Sequence, residues 1–313
     1  MKIIKILLAI IVVSAIFVTT SHIAKLNTRL NAKMGNMDYR PDIKENIDKH
    51  AGEHHFEDRD IVFKTVNHYA KIMDDIFINS YDNTSLGGSY LLGEDTDLWA
   101  ILIHGYTATN KTMFTIADEY YKRGFSILAP NLRGHGNSAG IFTTYGIKEK
   151  EDIKSRINWI KKSYPDAKIV LQGESLGAAS AMFLIAENPK DVIACVEDCG
   201  YTSYFEMYAN QFPKRLKFLA KPIGLLANLF IKPVIGADLF KSNIESIQKT
   251  QIPTLFINGA KDHLVPVEMC KKLYTAHKGK KDIHIAKGAG HAESKLYDAD
   301  IYYRKIFDFL SDI

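Results

Sequence analysis

The sequence predicts an α/β architecture: a mostly parallel sheet with helices on both faces and a small helical cap insertion. Two observations lead there. From Phe77 onward, short and nearly all-apolar runs alternate with amphipathic stretches of helical length, which is how strands buried on both faces and joined by crossover helices read. The stretch 201–250 breaks that rhythm, and a structureless loop of such length is uncommon inside a compact domain, so it is expected to be helical.

The elements follow in chain order. Residues 77–81 and 88–92, separated by the turn-prone Asp82-Asn83-Thr84, predict an opening antiparallel hairpin. Residues 99–103, 126–129, 168–171, 192–196, 254–257 and 283–285 are the candidate parallel strands, each short and apolar. Residues 113–121, 148–162, 176–187, 267–276 and 298–310 have helical length and periodicity. Within the insertion, the apolar clusters 218–220, 223–227 and 229–231 show no alternation of strand type.

The chain has 313 residues, enough for one large domain. A composition of 46% hydrophobic and 24% charged residues excludes a disordered or collagen-like chain. Forty basic residues stand against 36 acidic ones, a net charge of +4 without a long basic run, which argues against nucleic acid as a partner. Cys195, Cys199 and Cys270 are too few and odd in number for a disulfide framework and are read as buried apolar side chains.

After Lys2 and Lys5 no Lys, Arg, Asp or Glu occurs until Lys25, leaving 19 uncharged residues, close to the ~20 that cross a bilayer as a helix. Residues 1–24 are therefore expected to be a membrane anchor, since no convincing small-x-small cleavage site follows; a cleaved signal segment with secretion is the alternative. The leading lysines favour an extracytoplasmic catalytic domain, although Lys25, Arg29 and Lys33 weaken that bias. Residues 25–56 read as a polar stalk, in which His50, His54 and His55 lack a convincing ligand set. The α/β domain is then 57–313, with its insertion at about 201–250.

The sharpest chemical signal is Gly173-Glu174-Ser175-Leu176-Gly177, directly after a predicted strand and opening a helix of small residues. A serine hydroxyl is a poor nucleophile, so it must be thrust clear of the sheet on a tight turn where a base reaches it, and flanking glycines permit that turn. The N–H of Leu176 then lies at a helix N-terminus, where negative charge is favoured. The base is expected at His291, in the glycine-rich loop Lys287-Gly288-Ala289-Gly290-His291 after the last strand. Asp262, in the loop after the preceding strand, is the expected acid that orients it, with Asp198 at an earlier strand end as its rival and His263 as a solvated neighbour. A second oxyanion donor is expected at the backbone N–H of Tyr106, in the loop His104-Gly105-Tyr106 that follows the strand 99–103.

Together with Asn131-Leu132-Arg133-Gly134-His135-Gly136-Asn137-Ser138, Gly259-Ala260-Lys261-Asp262 and Val265-Pro266, these motifs resemble the α/β-hydrolase superfamily over about 76–310. The nearest resemblance is to its bacterial membrane-anchored branch related to Bem46-like and prolyl-oligopeptidase-like hydrolases. The order Ser175, Asp262, His291 is that superfamily's order. Many relatives have Asp where Asn131 stands, before a turn expected to be structural; Gly146, Glu149 and Asp152 are expected to cap and charge the next helix. The resemblance implies a serine hydrolase that passes through an acyl-enzyme and needs no metal or organic cofactor. A carboxylic ester, small or lipidic, is the first expectation for its substrate, because the apolar insertion would make a greasy lid over the pocket. A peptide or amide substrate and a catalytically silent binding protein of the same fold are the alternatives.

Overall fold

Residues 59–313 are described in the computed structural model; the expected anchor, the stalk and the histidines within it lie outside the described residues. Eight strands form one sheet in the order β1-β2-β4-β3-β5-β6-β7-β8. They are β1 (Asp74–Asn79), β2 (Ser85–Leu91), β3 (Asp95–Ile103), β4 (Phe125–Pro130), β5 (Lys168–Glu174), β6 (Val192–Asp198), β7 (Thr254–Gly259) and β8 (Lys281–Ala286). β2 pairs antiparallel with both β1 and β4, and every other pairing is parallel.

Each expected parallel strand is present, lengthened at one or both ends. The hairpin is displaced: Asn79 pairs with Ser85, and Tyr81, expected inside a strand, lies exposed in the turn. The strand ends at Asn79 and the turn follows: the Ser80 carbonyl accepts the N–H of Asn83, and the Ser80 hydroxyl donates to Asp152 at 2.5 Å.

Successive side chains of a strand point to opposite faces, so β3 supplies both sides of the core. Trp99, Ile101 and Ile103 join Ile169, Leu171 and Phe256 on one face, while Ala100 and Leu102 join Val170, Leu255 and Ile257 on the other. The first face is covered by α3 (Glu149–Ser163), α4 (Leu176–Ile185) and α8 (Val267–Ala276). The second is covered by α1 (Arg59–Ile72), α2 (Phe114–Tyr121) and α10 (Ala299–Ser311). α1 was not anticipated. It contributes Val66, Tyr69 and, just beyond its end, Met73 to the core, and the Tyr69 hydroxyl donates to Asp118 at 3.1 Å. Burying side chains of this size stabilises by about 1.5–3 kcal/mol each, which is what fixes this helix to the sheet.

The insertion is helical, as expected. It comprises α5 (Tyr204–Asn210), a 3₁₀ turn (Lys214–Leu216), α6 (Lys217–Ile235) and α7 (Asn243–Ile247). Ser203 and Ser242 cap α5 and α7, each accepting the N–H of the glutamate three residues on. α6 runs through Pro222 and Pro233 and stops at Gly236, whose φ of 69° suits glycine at a helix end. Ala220, Gly224, Ile231 and Ile235 share its buried face. A Cβ at Gly224 would meet the Phe205 ring at 2.3 Å, so glycine lets α6 cross α5 closely. Phe205 in turn stacks on Phe240 with centroids 4.2 Å apart.

Candidate active site

β5 delivers Ser175 to the carboxyl end of the sheet, and α4 starts at the next residue. Ser175 has φ 53° and ψ −108°, a conformation that costs a non-glycine residue of order 1–3 kcal/mol and persists only where its surroundings enforce it. Two glycines make the enforcement possible. A Cβ at Gly173 would lie 2.4 Å from the Gly177 carbonyl carbon, and one at Gly177 would lie 2.1 Å from the carbonyl oxygen of Ile103. The turn is therefore pressed against both its own helix and β3. The Ser175 N–H donates to the carbonyl of Asp198 at 2.8 Å and the Ser175 carbonyl accepts from Ala179 at 2.9 Å, holding the turn at both ends.

The loop after β8 brings His291 over this turn. Nε2 of His291 lies 2.9 Å from Ser175 Oγ, and Nδ1 lies 2.7 Å from Asp262 Oδ2. The other carboxylate oxygen of Asp262 accepts the N–H groups of Leu264 and Val265 at 2.9 and 2.8 Å. Those two bonds fix the carboxylate plane, and the Asp262 side chain is wholly inaccessible to solvent. With Asp262 accepting at Nδ1, the ring proton belongs on that nitrogen, and Nε2 is the acceptor for the serine hydroxyl. Gly290 donates its N–H to Glu293 at 2.8 Å, steadying the residue before the histidine. His263 is exposed, as expected for a bystander; its carbonyl receives Gln211 from the cap at 3.1 Å.

Asp198, the rival acid, makes no bond to His291. It ends β6, fully buried, and burial together with the nearby charge of Glu174 pushes its carboxyl up to about 8. A carboxyl so disfavoured in its charged form is a poor partner for an imidazolium.

The loop carrying Tyr106 packs on the nucleophile turn: a Cβ at Gly105 would touch Ser175 Cβ at 3.5 Å and the Glu174 carbonyl at 3.4 Å. Two buried histidines shape that loop. His104 donates from Nδ1 to the Gly105 carbonyl at 2.7 Å and accepts the Leu132 N–H at Nε2, 3.0 Å away. Burial and the neighbouring His135 hold its pKa down to about 3, so it stays neutral and structural. His135 accepts the Thr107 N–H at 3.2 Å. Leu176 opens α4, and an amide in a helix's first turn has no intrahelical acceptor.

Several supporting contacts carry no signal in the sequence alone. Arg133 spans from the turn after β4 to Asp152 on α3, donating at 2.7 and 2.6 Å, and to Asp82 at 3.1 Å. Asp152 lies in the first turn of α3, as expected of a residue that charges the helix start, and it also anchors the turn after β4. Glu149 does act as a cap, accepting from Thr144 and Gly146 at 2.7 and 2.9 Å. Asn131 accepts the Asn110 N–H at 2.9 Å and donates to Asn137 at 2.8 Å, so the amide uses both of its ends. Lys295, buried on α9 (Ser294–Tyr297), pairs with Glu174, the residue before Ser175.

All three cysteines are buried and free, as expected. Among the described residues one group has metal-ligating atoms in proximity: Cys199, Asp262 and His291, within 4.8 Å of one another. Two ligands of one tetrahedral zinc stand about 3.3 Å apart given their bond lengths. The 2.7 Å between Nδ1 and Oδ2 is a hydrogen bond instead.

Comparison with known proteins agrees with this architecture. A family profile described as "alpha/beta hydrolase fold" matches residues 101–232. YqkD of Bacillus subtilis is 27% identical over 229 residues, 72% of this chain and 75% of that protein. Bem46 of Schizosaccharomyces pombe is 26% identical over 197 residues, 62% of this chain and 60% of its own. Among solved structures, the Pyrococcus furiosus esterase Pf2001 superposes with a TM-score of 0.63 at 26% identity, covering 77% of this chain and 90% of that one. The chain has the α/β-hydrolase fold. Its eight-stranded, mostly parallel sheet with helices on both faces is that fold, and the fold together with such neighbours supports hydrolase activity.

Proposed function

We propose that the protein is a serine hydrolase of carboxylic esters that works through an acyl-enzyme. The observation that carries the proposal is the unbroken line of hydrogen bonds from Ser175 Oγ through the His291 ring to Asp262. In this reading Ser175 attacks the ester carbonyl while His291 Nε2 takes the hydroxyl proton. Asp262 keeps the Nδ1 proton in place and stabilises the imidazolium without being protonated itself. The N–H groups of Tyr106 and Leu176 receive the oxyanion; one such donor is typically worth about 2.7–4 kcal/mol in the transition state. The alcohol leaves with the proton held on His291, and water repeats the sequence to release the acid. Every step uses groups of this chain, substrate and water.

Ester is preferred to amide because Pf2001, similar over most of this chain, is named an esterase. A panel of nitrophenyl esters of graded acyl length beside a nitroanilide tests the choice. Ester turnover that disappears in Ser175→Ala is expected. Anilide cleavage without ester cleavage would reassign the protein as a peptidase or amidase, and no turnover of either would make it a binding protein.

We further infer that residues 1–24 attach the enzyme to a membrane, on the strength of their uncharged run. Fractionation of cells carrying the full chain or a chain starting after Ala24 tests this; full-length protein in the soluble fraction would refute it.

A further inference from the structure

The cap helix α6 has two opposite apolar faces, and only one of them is used by the fold. Ala220, Gly224, Ile231 and Ile235 are buried against the domain. On the other side Phe218, Leu225 and Leu229 are 73%, 53% and 67% exposed. At 100° per residue, Leu225 and Leu229 fall within about 20° of Phe218 around the helix axis, so the three make one outward stripe. Leu216, Phe230 and Val234 are exposed near its ends and flank.

The charges around this stripe have one sign. Between Glu206 and Asp238 the chain has no acidic residue and five basic ones: Lys214, Arg215, Lys217, Lys221 and Lys232. All five are exposed. Lys232 pairs with Asp238 at 2.8 Å, and Lys217 donates to Asn210 at 3.0 Å. Lys214, Arg215 and Lys221 form no ion pair with any described residue and border the stripe near its N-terminal end. By length and apolar character the segment Lys214–Ile235 would suffice to cross a bilayer. Its inner face is committed to α5 and the domain, however, so it cannot leave the protein to do so. A helix with an outward apolar stripe and a one-signed basic border fits the boundary between acyl chains and anionic headgroups, where it lies in the plane of the surface.

We propose that α6 is a membrane-surface helix: the Phe218, Leu225 and Leu229 stripe inserts shallowly into a bilayer carrying anionic lipids, with Lys214, Arg215 and Lys221 on the headgroups. The contact orients the body of the enzyme on the membrane. It is separate from any tether at the N-terminus and from the chemistry of Ser175.

A label on the helix itself distinguishes this contact from simple tethering. The three native cysteines are inaccessible, so an environment-sensitive fluorophore attaches selectively to full-length Leu225→Cys or, as a control on the far side of the domain, Lys190→Cys. Each protein is reconstituted into phosphatidylcholine vesicles with or without phosphatidylglycerol, with a nitroxide placed high on the acyl chain. The expected result is a blue shift and at least about twofold quenching at 225 in the anionic vesicles, as shallow insertion requires, and neither at 190. Lys214→Gln with Lys221→Gln should remove the preference for anionic lipid. The inactive Ser175→Ala protein should behave identically, so a failure of the esterase reading leaves this result untouched. No quenching at 225 in any vesicle would overturn the proposal. So would a spectral shift at 225 that depends on protein concentration in micelles and not on lipid, which would assign the stripe to a second copy of the chain.

Discussion

Lys295 and Glu174 form an ion pair inside the domain, with side chains only 7% and 4% exposed. The pair ties α9, just after the His291 loop, to the residue preceding Ser175; the Lys295 ammonium also donates to the Thr112 carbonyl at 3.3 Å. The two segments that must hold Ser175 and His291 2.9 Å apart are thus joined behind the site by a second bond. Removing one partner of a buried pair leaves an uncompensated charge and costs about 3–5 kcal/mol, whereas replacing both is often close to neutral. Urea unfolding of Lys295→Met should show a loss of that size, with most of it recovered in Glu174→Gln with Lys295→Met. An equal loss in the double variant would mean that the pair does not act as a unit.

The nucleophile turn has no room for one methyl group. A Cβ at position 177 would lie 2.1 Å from the backbone oxygen of Ile103, and neither the helix nor the strand has a flexible side chain to move. Gly177→Ala should therefore push α4 off β3. Overpacking of this kind typically costs 1–3 kcal/mol or more, and ester turnover should fall with it even though no catalytic group is altered. Wild-type melting temperature and turnover in this variant would contradict the packing described.

Asp262 and Asp198 separate by a direct comparison of their amides. If Asp262 orients the imidazole, Asp262→Asn should lower kcat by about 10⁴-fold through the wrong tautomer, with KM little changed. Asp198→Asn should keep kcat within about tenfold of wild type, because that carboxyl makes no bond to the ring. Steady-state kinetics on one nitrophenyl ester decides it, and the reverse ranking would move the acid to the end of β6.

Asp198 leaves its mark on stability instead. Burial raises its carboxyl from 3.8 to about 8, so between those values the native state holds a proton that the unfolded chain has released. Its contribution is complete below about pH 4 and is lost as pH rises towards 8, with a slope approaching 1.4 kcal/mol per pH unit. His104 acts at the acid end with the opposite sense: with its pKa held near 3 against 6.5 unfolded, it destabilises the fold as pH falls from about 6.5 to 3. Denaturant unfolding across this range should show Asp198→Asn flattening the loss on the neutral side while leaving the acid side intact. A variant curve parallel to wild type from pH 4 to 8 would contradict the assignment.

The strands of the sheet and the two candidates Ser175 and His291 were legible because each has a local signature. An apolar run of five residues is a buried strand, a serine two residues from a glycine on either side after a strand is a sharp turn, and a histidine among glycines after the last strand lies in a loop. What stayed hidden depends on distance. Ser80 and Asp152 meet across 72 residues, and Glu174 and Lys295 across 121; nothing near either partner announces the other. α6 resisted delimitation for a different reason. It is apolar on its inner and its outer side, so its apolar face is wider than the single stripe that marks an ordinary surface helix, and Pro222 and Pro233 punctuate it further. α1, at the edge of a polar segment, reveals its purpose only through the core it packs against.

Reaction of the purified full-length protein with a fluorophosphonate, followed by peptide mass spectrometry, tests the central claim most directly. The account predicts one phosphonylated residue, Ser175, with labelling abolished in Ser175→Ala and slowed by orders of magnitude in His291→Ala. Ester turnover that survives in Ser175→Ala, or a phosphonyl group on a different residue of the active wild-type protein, would contradict it.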